Sequence, residues 1–237
     1  MQGQQEHRLW AWNVSALFYE WAYIQVAHQT DVDLFAYLGE RVKGATIADC
    51  GCGPGVVSEK FLRAGAAKVV ALDSNPGMVE KARQRLHADI TAGRAVVVQR
   101  SHEGDGVVQA AQDVLHGGLF DIVLFKRSLY MSRSQAVTTL RHVAGALRPR
   151  GTIVVIHPER QLLHYAFAPP IGITRYTPFH LFNRAISRVA EFFGAEEYTL
   201  YSRRELLALL QEAVPEAHVV SIPSQQRPYN LAALHVP

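Results

Sequence analysis

Residues 45–55 read ATIADCGCGPG, and the pattern of this stretch indicates the class of fold. An apolar run, residues 45–49, precedes a turn whose three glycines have the spacing G-x-G-x-G, and a helix is predicted from about Val56. A short apolar segment that ends in a glycine-rich turn and continues into a helix is typical of the first strand, loop and helix of an open α/β sheet.

The same alternation continues along the chain on both sides of this stretch. Strands of about five residues alternating with longer helices indicate a parallel sheet covered on both faces by right-handed crossovers. The sequence therefore predicts a doubly wound α/β fold, with a mostly parallel seven-stranded sheet whose last two strands form an antiparallel pair. The predicted strands are residues 45–49, 68–72, 95–99, 120–125, 152–156, 218–222 and 230–235, and the predicted helices are residues 32–41, 56–64, 76–92, 106–115, 134–147 and 202–213.

Composition excludes several classes of protein. The 237 residues are 49% hydrophobic and 19% charged, which is typical of a compact globule and not of a disordered chain. The net charge is only +3, with no long basic run, so we expect neither nucleic acid nor membrane as a partner. Two cysteines are too few for a zinc site, and no apolar run reaches the length of a spanning helix. A cytoplasmic protein is expected.

Two segments interrupt the regular pattern and divide the chain into four parts. Residues 1–43 are rich in aromatic side chains and are predicted to form an N-terminal helical lid. Residues 44–157 are the predicted cofactor-binding α/β core, and residues 158–200, which contain several prolines, are a predicted helical cap insertion. Residues 201–237 complete the core with its last helix and the antiparallel strands.

The glycine loop and one carboxylate predict a nucleoside site. In open α/β sheets, ligands bind at the carboxyl ends of the strands where the strand order reverses. The dinucleotide fingerprint would need a glycine at Val56, so a pyrophosphate cradle is disfavoured. Asp73 ends the second predicted strand, where a carboxylate can accept hydrogen bonds from both hydroxyls of a ribose.

Two stretches carry a family resemblance. Residues 47–55 (IADCGCGPG) and 69–78 (VVALDSNPGM) resemble the class I S-adenosylmethionine-dependent methyltransferases, over about residues 44–157, with the expected element order resuming after residue 200. The resemblance implies a Rossmann-like methyltransferase fold with S-adenosyl-L-methionine as cofactor. It also implies that Asp49, Gly51 and Gly53 hold the amino-acid end of the cofactor and that Asp73 holds its ribose.

The resemblance also assigns the residues around the adenine and the rest of the loop. The family commonly carries Asp or Glu after the third strand, where this chain has Ser101, and Glu103 could replace it after a short shift. His102 would contribute a backbone contact, and Lys126 would lie beside the cofactor through its backbone. The further cofactor-binding residues implied are Cys52, Gly55, Ser74 and Met78. In the fourth strand, FDIVLF at residues 120–125, Asp121 lies at the amino end, away from the ligand, and is expected to cap a neighbouring element.

Three side chains are candidates for the catalytic chemistry. His157 follows the fifth strand and is a candidate general base, with a hydrogen-bonded scaffold residue as the alternative. Tyr130 follows the carboxyl end of the fourth strand, and Tyr19 belongs to the N-terminal aromatic residues, which either form a lid or pack in the core. Cys50 and Cys52 are expected to fill the core.

We interpret the chain as a methyltransferase for a small-molecule acceptor, a metabolite or natural-product intermediate methylated at O or N under an aromatic cap. Exocyclic-amine nucleic-acid enzymes carry an Asn or Asp-Pro-Pro-aromatic turn after the fourth strand, where this chain reads FKRS at residues 125–128. A non-catalytic subunit with the same fold that partners another enzyme is an alternative, and an aminopropyltransferase is a less favoured one. A monomer or a homodimer is expected.

Overall fold

The computed structural model describes residues 28–158, 201–223 and 229–237. Residues 1–27 of the predicted lid, which include Tyr19, and residues 159–200 of the predicted cap insertion lie outside the described residues. Among the described residues, no helix has the length and apolarity that crossing a membrane requires.

Seven strands form one sheet in the order β3-β2-β1-β4-β5-β7-β6. Among the strands of the described residues, β7 alone runs antiparallel to its neighbours, β5 and β6. The predicted fold, a doubly wound and mostly parallel sheet of seven strands, is confirmed. The strands are β1 (Thr46–Cys50), β2 (Lys68–Asp73), β3 (Ala95–Gln99), β4 (Phe120–Lys126), β5 (Leu147–Pro158), β6 (His218–Ile222) and β7 (Tyr229–His235).

The helices lie on both faces of this sheet. They are α1 (His28–Leu38), followed by a 3-10 turn (Gly39–Val42), α2 (Val56–Arg63), α3 (Pro76–Arg85), α4 (His87–Thr91), α5 (Gly106–Leu115), α6 (Arg133–Gly145) and α7 (Arg203–Ala213). Two elements differ from the prediction. The helix predicted over residues 76–92 is divided at the fully buried Leu86, and β5 begins at Leu147 because its first residues pair with Phe120 across an irregularity in the β4 register.

Successive residues of the central strands pack in two separate cores, one on each face of the sheet. Ala48 and Cys50 of β1 pack in the core beneath α5, α6 and α7, whereas Ile47 packs in the core beneath α1, α2 and α3. This alternation is the two-residue period of a strand buried on both faces. Asp49 therefore lies on the α1 and α2 side of β1, together with Leu124 of β4, with which it is in register.

The topology positions the site. β1 pairs with β2 on one side and with β4 on the other, so the order of the strands reverses between β1 and β4. The loops that follow β1 and β4 leave the sheet at the same edge. A crevice between these loops is where open α/β sheets bind their ligands.

Candidate functional site

The glycine loop after β1 turns back over the end of β2. The backbone N–H groups of Gly51 and Cys52 both donate to the carbonyl of Leu72, at 2.8 and 2.9 Å. Gly51, Gly53 and Gly55 have φ angles of 72°, 54° and 76°, in the left-handed region that residues with a Cβ rarely adopt. The three glycines are thus required by the backbone path of the loop.

Asp73 joins this loop to the end of β2. One carboxylate oxygen accepts from Gly53 N and the other from Asn75 N, each at 2.8 Å. Burial raises the pKa of Asp73, and the two backbone N–H groups oppose that rise. Each oxygen has lone-pair capacity beyond the bond that it accepts, so the held carboxylate can accept two hydroxyls of a ligand.

Asp49 lies beneath the loop. Its carboxylate is buried and accepts a 2.6 Å hydrogen bond from Ser58 Oγ of α2. Burial raises the pKa of Asp49 to about 6, against the lowering effects of Ser58 and Lys126. The carboxylate thus faces α2, and it changes its charge near neutral pH.

His102 and Ser128 meet above Gly51. Ser128 Oγ donates to the carbonyl of Cys50 at 2.6 Å, and His102 Nε2 lies 2.9 Å from the carbonyl of Ser128. The His102 ring also packs edge-on against Phe125. Burial lowers the pKa of His102, which favours the neutral ring. The structure therefore brings the His102 side chain to the glycine loop, whereas the resemblance implied only a backbone contact. Ser128 is a neighbour that sequence reasoning did not assign to the cofactor.

The other residues assigned to the adenine lie around the starts of α3 and α5. Asn75 caps α3, since its side-chain oxygen accepts from Met78 N at 3.0 Å. The Met78 side chain is buried, whereas Ser74 is exposed. Ser101 Oγ accepts from Glu103 N at 3.2 Å, which orders the loop after β3.

Lys126 ends β4 with its side chain buried. Its ammonium pairs with one carboxylate oxygen of Asp31 in α1, and Lys60 of α2 pairs with the other oxygen at 2.6 Å. Burial lowers the pKa of Lys126 to about 8, while Asp31 opposes that effect. Sequence reasoning missed Asp31, because nothing in its local context marks it as the partner of a residue in β4.

His157 is buried between two tyrosines at the carboxyl end of β5. Its ring centroid lies 5.5 Å from that of Tyr130 and 5.2 Å from that of Tyr201. Its Nε2 accepts a hydrogen bond from Tyr201 N at 3.1 Å. The Tyr201 hydroxyl donates to the carbonyl of Met131 at 3.0 Å, so Tyr201 links the ends of β4 and β5.

The two cysteines beside the glycine loop lie in the core. Cys50 and Cys52 are buried free thiols, and burial raises the pKa of both. A buried protonated thiol behaves as a small apolar side chain. Within the described part of the chain, no cluster of three or more His, Cys, Asp or Glu residues could hold a metal ion.

Comparisons with known proteins agree with this geometry. Residues 47–151 match the family model described as a methyltransferase domain. A ubiquinone biosynthesis O-methyltransferase from Xanthomonas campestris pv. campestris is 28% identical over 170 residues, which cover 60% of this chain and 66% of that protein. A ribosomal protein L11 methyltransferase from Burkholderia vietnamiensis is 38% identical over 71 residues, 28% of this chain. That match spans only about a quarter (24%) of the relative's length.

Solved structures extend the similarity to most of the chain. The magnesium protoporphyrin IX methyltransferase from Synechocystis, crystallised with bound S-adenosylhomocysteine, superimposes with a TM-score of 0.58 at 16% identity. The match covers 88% of this chain and 82% of that one. At this identity the likeness concerns the fold. The family model over residues 47–151 agrees with the resemblance carried by the glycine loop and Asp73, and the solved structure shares the fold.

Proposed function

We propose that the chain transfers a methyl group from S-adenosylmethionine to a small-molecule acceptor, because residues 47–151 match the family model described as a methyltransferase domain and carry the glycine loop and Asp73 that resemble the class I family. The observation that carries the proposal is the Asp73 carboxylate, held by Gly53 N and Asn75 N at the edge where the strand order reverses. Its two oxygens suit the two hydroxyls of a ribose.

The loop fits the cofactor in shape as well as in chemistry. A Cβ built at Gly51 would lie 2.5 Å from Ser128 Cβ, so a side chain there would fill the crevice between the loops after β1 and β4. When bound, S-adenosylmethionine would supply a methyl group on a positively charged sulfur. Gly51 and Gly53 would bind its amino-acid end through their backbone, and Asp49 would act on that end from beneath the loop.

The remaining assigned residues would surround the adenosine. Asp73 would accept the ribose hydroxyls, and the start of α3 would place Ser74 and Met78 beside the adenine. Ser101, an acceptor in its own right, would take the place of the family's carboxylate. Lys126 would contribute through its backbone, since its ammonium is turned toward Asp31 of α1, away from the crevice.

The acceptor would enter at the carboxyl ends of β4 and β5, where Tyr130 and His157 lie against each other. An in-line displacement needs the acceptor atom aligned with the methyl group in a dry pocket, and the chain would supply this by positioning and by excluding water. We propose that residues 1–43, including Tyr19, and residues 158–200 form the aromatic cap over the acceptor. The acceptor atom we propose is oxygen or nitrogen, and the ubiquinone biosynthesis relative, by its name an O-methyltransferase, supports oxygen.

His157 is interpreted either as a general base or as a hydrogen-bonded scaffold residue, and its contacts bear on this choice. A general base needs a ring nitrogen with an open lone pair. The Nε2 lone pair accepts from Tyr201 N, so a proton could reach it only after that hydrogen bond breaks. This hydrogen bond favours the scaffold role, in which His157 positions Tyr201 and Tyr130.

Isothermal titration tests the proposed function. We expect the wild-type protein to bind S-adenosylhomocysteine, and Asp73→Ala to bind it at least about tenfold more weakly, because charged hydrogen bonds to the ribose are lost. Asp113→Ala, which removes an exposed carboxylate paired with Arg100, is the matched control and should not change the affinity. Absence of binding by the wild type, or equal affinity in Asp73→Ala, would contradict the proposal.

A methyl-transfer screen separates the enzyme from the alternative of a non-catalytic subunit. Donor with a labelled methyl group should label at least one small aromatic or aliphatic alcohol, phenol or amine. A protein that binds S-adenosylhomocysteine but labels no acceptor, and that co-purifies with another enzyme, would favour the alternative.

A further inference from the structure

A buried ion cluster lies under the glycine loop, on the α1 and α2 side of the sheet. We define it by four residues: Asp31 of α1, Asp49 of β1, Lys60 of α2 and Lys126 of β4. The side chains of Asp31 and Lys126 are each only 4% exposed, and that of Lys60 is 34% exposed. Asp31 is the centre of the cluster, because each of its carboxylate oxygens pairs with a different lysine.

The cluster reaches the proposed donor site through Lys126. Cys50 is in register with Phe125, so Lys126 is level with Gly51 at the carboxyl edge of the sheet. Its side chain lies on the same face of β4 as Leu124, the face on which α1 and α2 pack. The backbone of Lys126 therefore borders the crevice, while Asp31 draws its ammonium away from the crevice toward the helices.

The pairing of Asp31 with Lys126 balances a buried positive charge. A buried ammonium that loses its partner is strongly unfavourable, and its charge acts over a long range because the surroundings have a low dielectric constant. Arg127 and Lys60 are further cations that act on Lys126, and Asp49 is an anion that Lys126 stabilises. Without Asp31 the pKa of Lys126 would fall further, and wherever Lys126 keeps its proton the excess of positive charge would stand beside the place where a positively charged sulfur must bind.

We propose that Asp31 is a positioning residue for the donor. It neutralises Lys126 and holds the Lys126 ammonium on the α1 and α2 side of β4, so that the sulfonium form of the cofactor binds without repulsion. The inference rests on the proposed function. Asp31 touches neither cofactor nor acceptor in this assignment, and it acts only through Lys126.

The affinities for the methylated and the demethylated form of the cofactor provide a direct test. S-adenosylmethionine carries one more positive charge than S-adenosylhomocysteine, at the sulfur, and the two differ otherwise only by the methyl group. In Asp31→Asn, titrated at a pH low enough to keep Lys126 protonated, we expect the affinity for S-adenosylmethionine, relative to that for S-adenosylhomocysteine, to fall roughly tenfold, because two nearby unit charges then repel each other through a medium of lower dielectric constant than water. Titration calorimetry of the purified full chain measures both affinities without any acceptor.

Two further variants keep the test decisive. Lys126→Met removes the cation and leaves Asp31 paired with Lys60, so the ratio should shift in the opposite direction, toward S-adenosylmethionine. The double variant Asp31→Asn with Lys126→Met should restore the ratio to within about threefold of wild type, because the two changes act through one pair. Glu40→Gln, which removes an exposed carboxylate from the turn after α1, is the control and should leave the ratio unchanged.

The outcomes separate this inference from the proposed function. An equal loss of both affinities in Asp31→Asn would assign it a merely structural role and overturn the inference, as would an unchanged ratio. If Asp31→Asn does not fold, an unchanged ratio in Lys126→Met overturns the inference by itself. Wild-type protein that binds neither form would overturn the proposed function, and the inference with it.

Discussion

Gly51 and Ser128 are packed so closely that the glycine has no room for a side chain. A Cβ built on Gly51 would lie 2.5 Å from Ser128 Cβ and 3.5 Å from His102 Cε1. The contact joins the loop after β1 to the loop after β4, residues far apart in the chain. It sets the width of the crevice in which we place the donor.

We expect Gly51→Ala to destabilise the protein by about 2–4 kcal/mol, since it combines a left-handed backbone angle with a steric overlap. Gly93→Ala is the matched control, because Gly93 has nearly the same φ, 73°, and nothing lies within 4 Å of a Cβ built there. Only the backbone cost, about 1 kcal/mol, should remain in Gly93→Ala. Urea unfolding of Gly51→Ala, Gly93→Ala and the wild type measures both losses of unfolding free energy.

The steric part of the Gly51 effect can be isolated with Ser128→Gly. In that background, Gly51→Ala should cost about 1–2 kcal/mol less than in the wild type, because the overlapping Cβ is gone. Equal losses in Gly51→Ala and Gly93→Ala would show that the close contact with Ser128 does not determine the loop.

Asp49 should make stability depend on pH. Its pKa is raised from 3.8 to about 6, so the folded protein binds a proton that the unfolded chain releases between those values. Stability from this group is therefore complete below about pH 4 and is lost as the pH rises through 6, by about 3 kcal/mol in all.

The variant Asp49→Asn carries no such titration. Its stability relative to wild type should therefore increase by about 2–3 kcal/mol between pH 4 and pH 7. Urea unfolding at a series of pH values, with Asp113→Asn as the exposed control, measures the difference. A constant difference between Asp49→Asn and wild type over this range would refute the raised pKa.

His157 is best examined with two substitutions. His157→Ala leaves Tyr201 N without its acceptor and opens a gap between two tyrosines, so we expect a loss of about 2–4 kcal/mol and lower turnover with an acceptor from the screen. Affinity for S-adenosylhomocysteine should stay within about twofold, because His157 lies on the acceptor side.

His157→Gln separates positioning from proton transfer. A glutamine oxygen can accept from Tyr201 N but is no base near neutral pH. We expect His157→Gln to recover most of the turnover lost in His157→Ala. Turnover as low as that of His157→Ala, with the fold intact, would instead assign His157 as the base.

We expect Asp121 to contribute to the stability of the fold and not to the binding of the cofactor. Its carboxylate accepts from Thr46 N at 2.7 Å and pairs with Arg148, at the amino ends of the strands. Asp121→Ala should cost about 1–2 kcal/mol with unchanged affinity for S-adenosylhomocysteine, whereas Asp121→Asn, which keeps an acceptor, should cost about 0.5 kcal/mol. Weaker cofactor binding in a stable Asp121→Ala protein would contradict this separation of the two ends of the sheet.

The sequence determined the sheet, the loop and the class of ligand, because each of these depends on local constraints. Strand burial follows a period of two residues, left-handed turns demand glycine, and a carboxylate that ends β2 must lie at the carboxyl edge. These rules need only neighbours along the chain, and they predicted the strands, the G-x-G-x-G loop and the position of Asp73.

Which side chains from distant parts of the sequence meet depends on how the folded elements pack. Asp31 and Lys126 are 95 positions apart, Gly51 is packed by Ser128, and His157 is fixed by Tyr201. No local pattern encodes such pairs, because they arise when α1, β1, β4 and β5 are brought together and their buried charges and hydrogen-bonding groups must find partners. The sequence thus indicated the edge of the sheet at which we propose that the donor binds, and the packing of the folded chain arranges the charges beneath that edge.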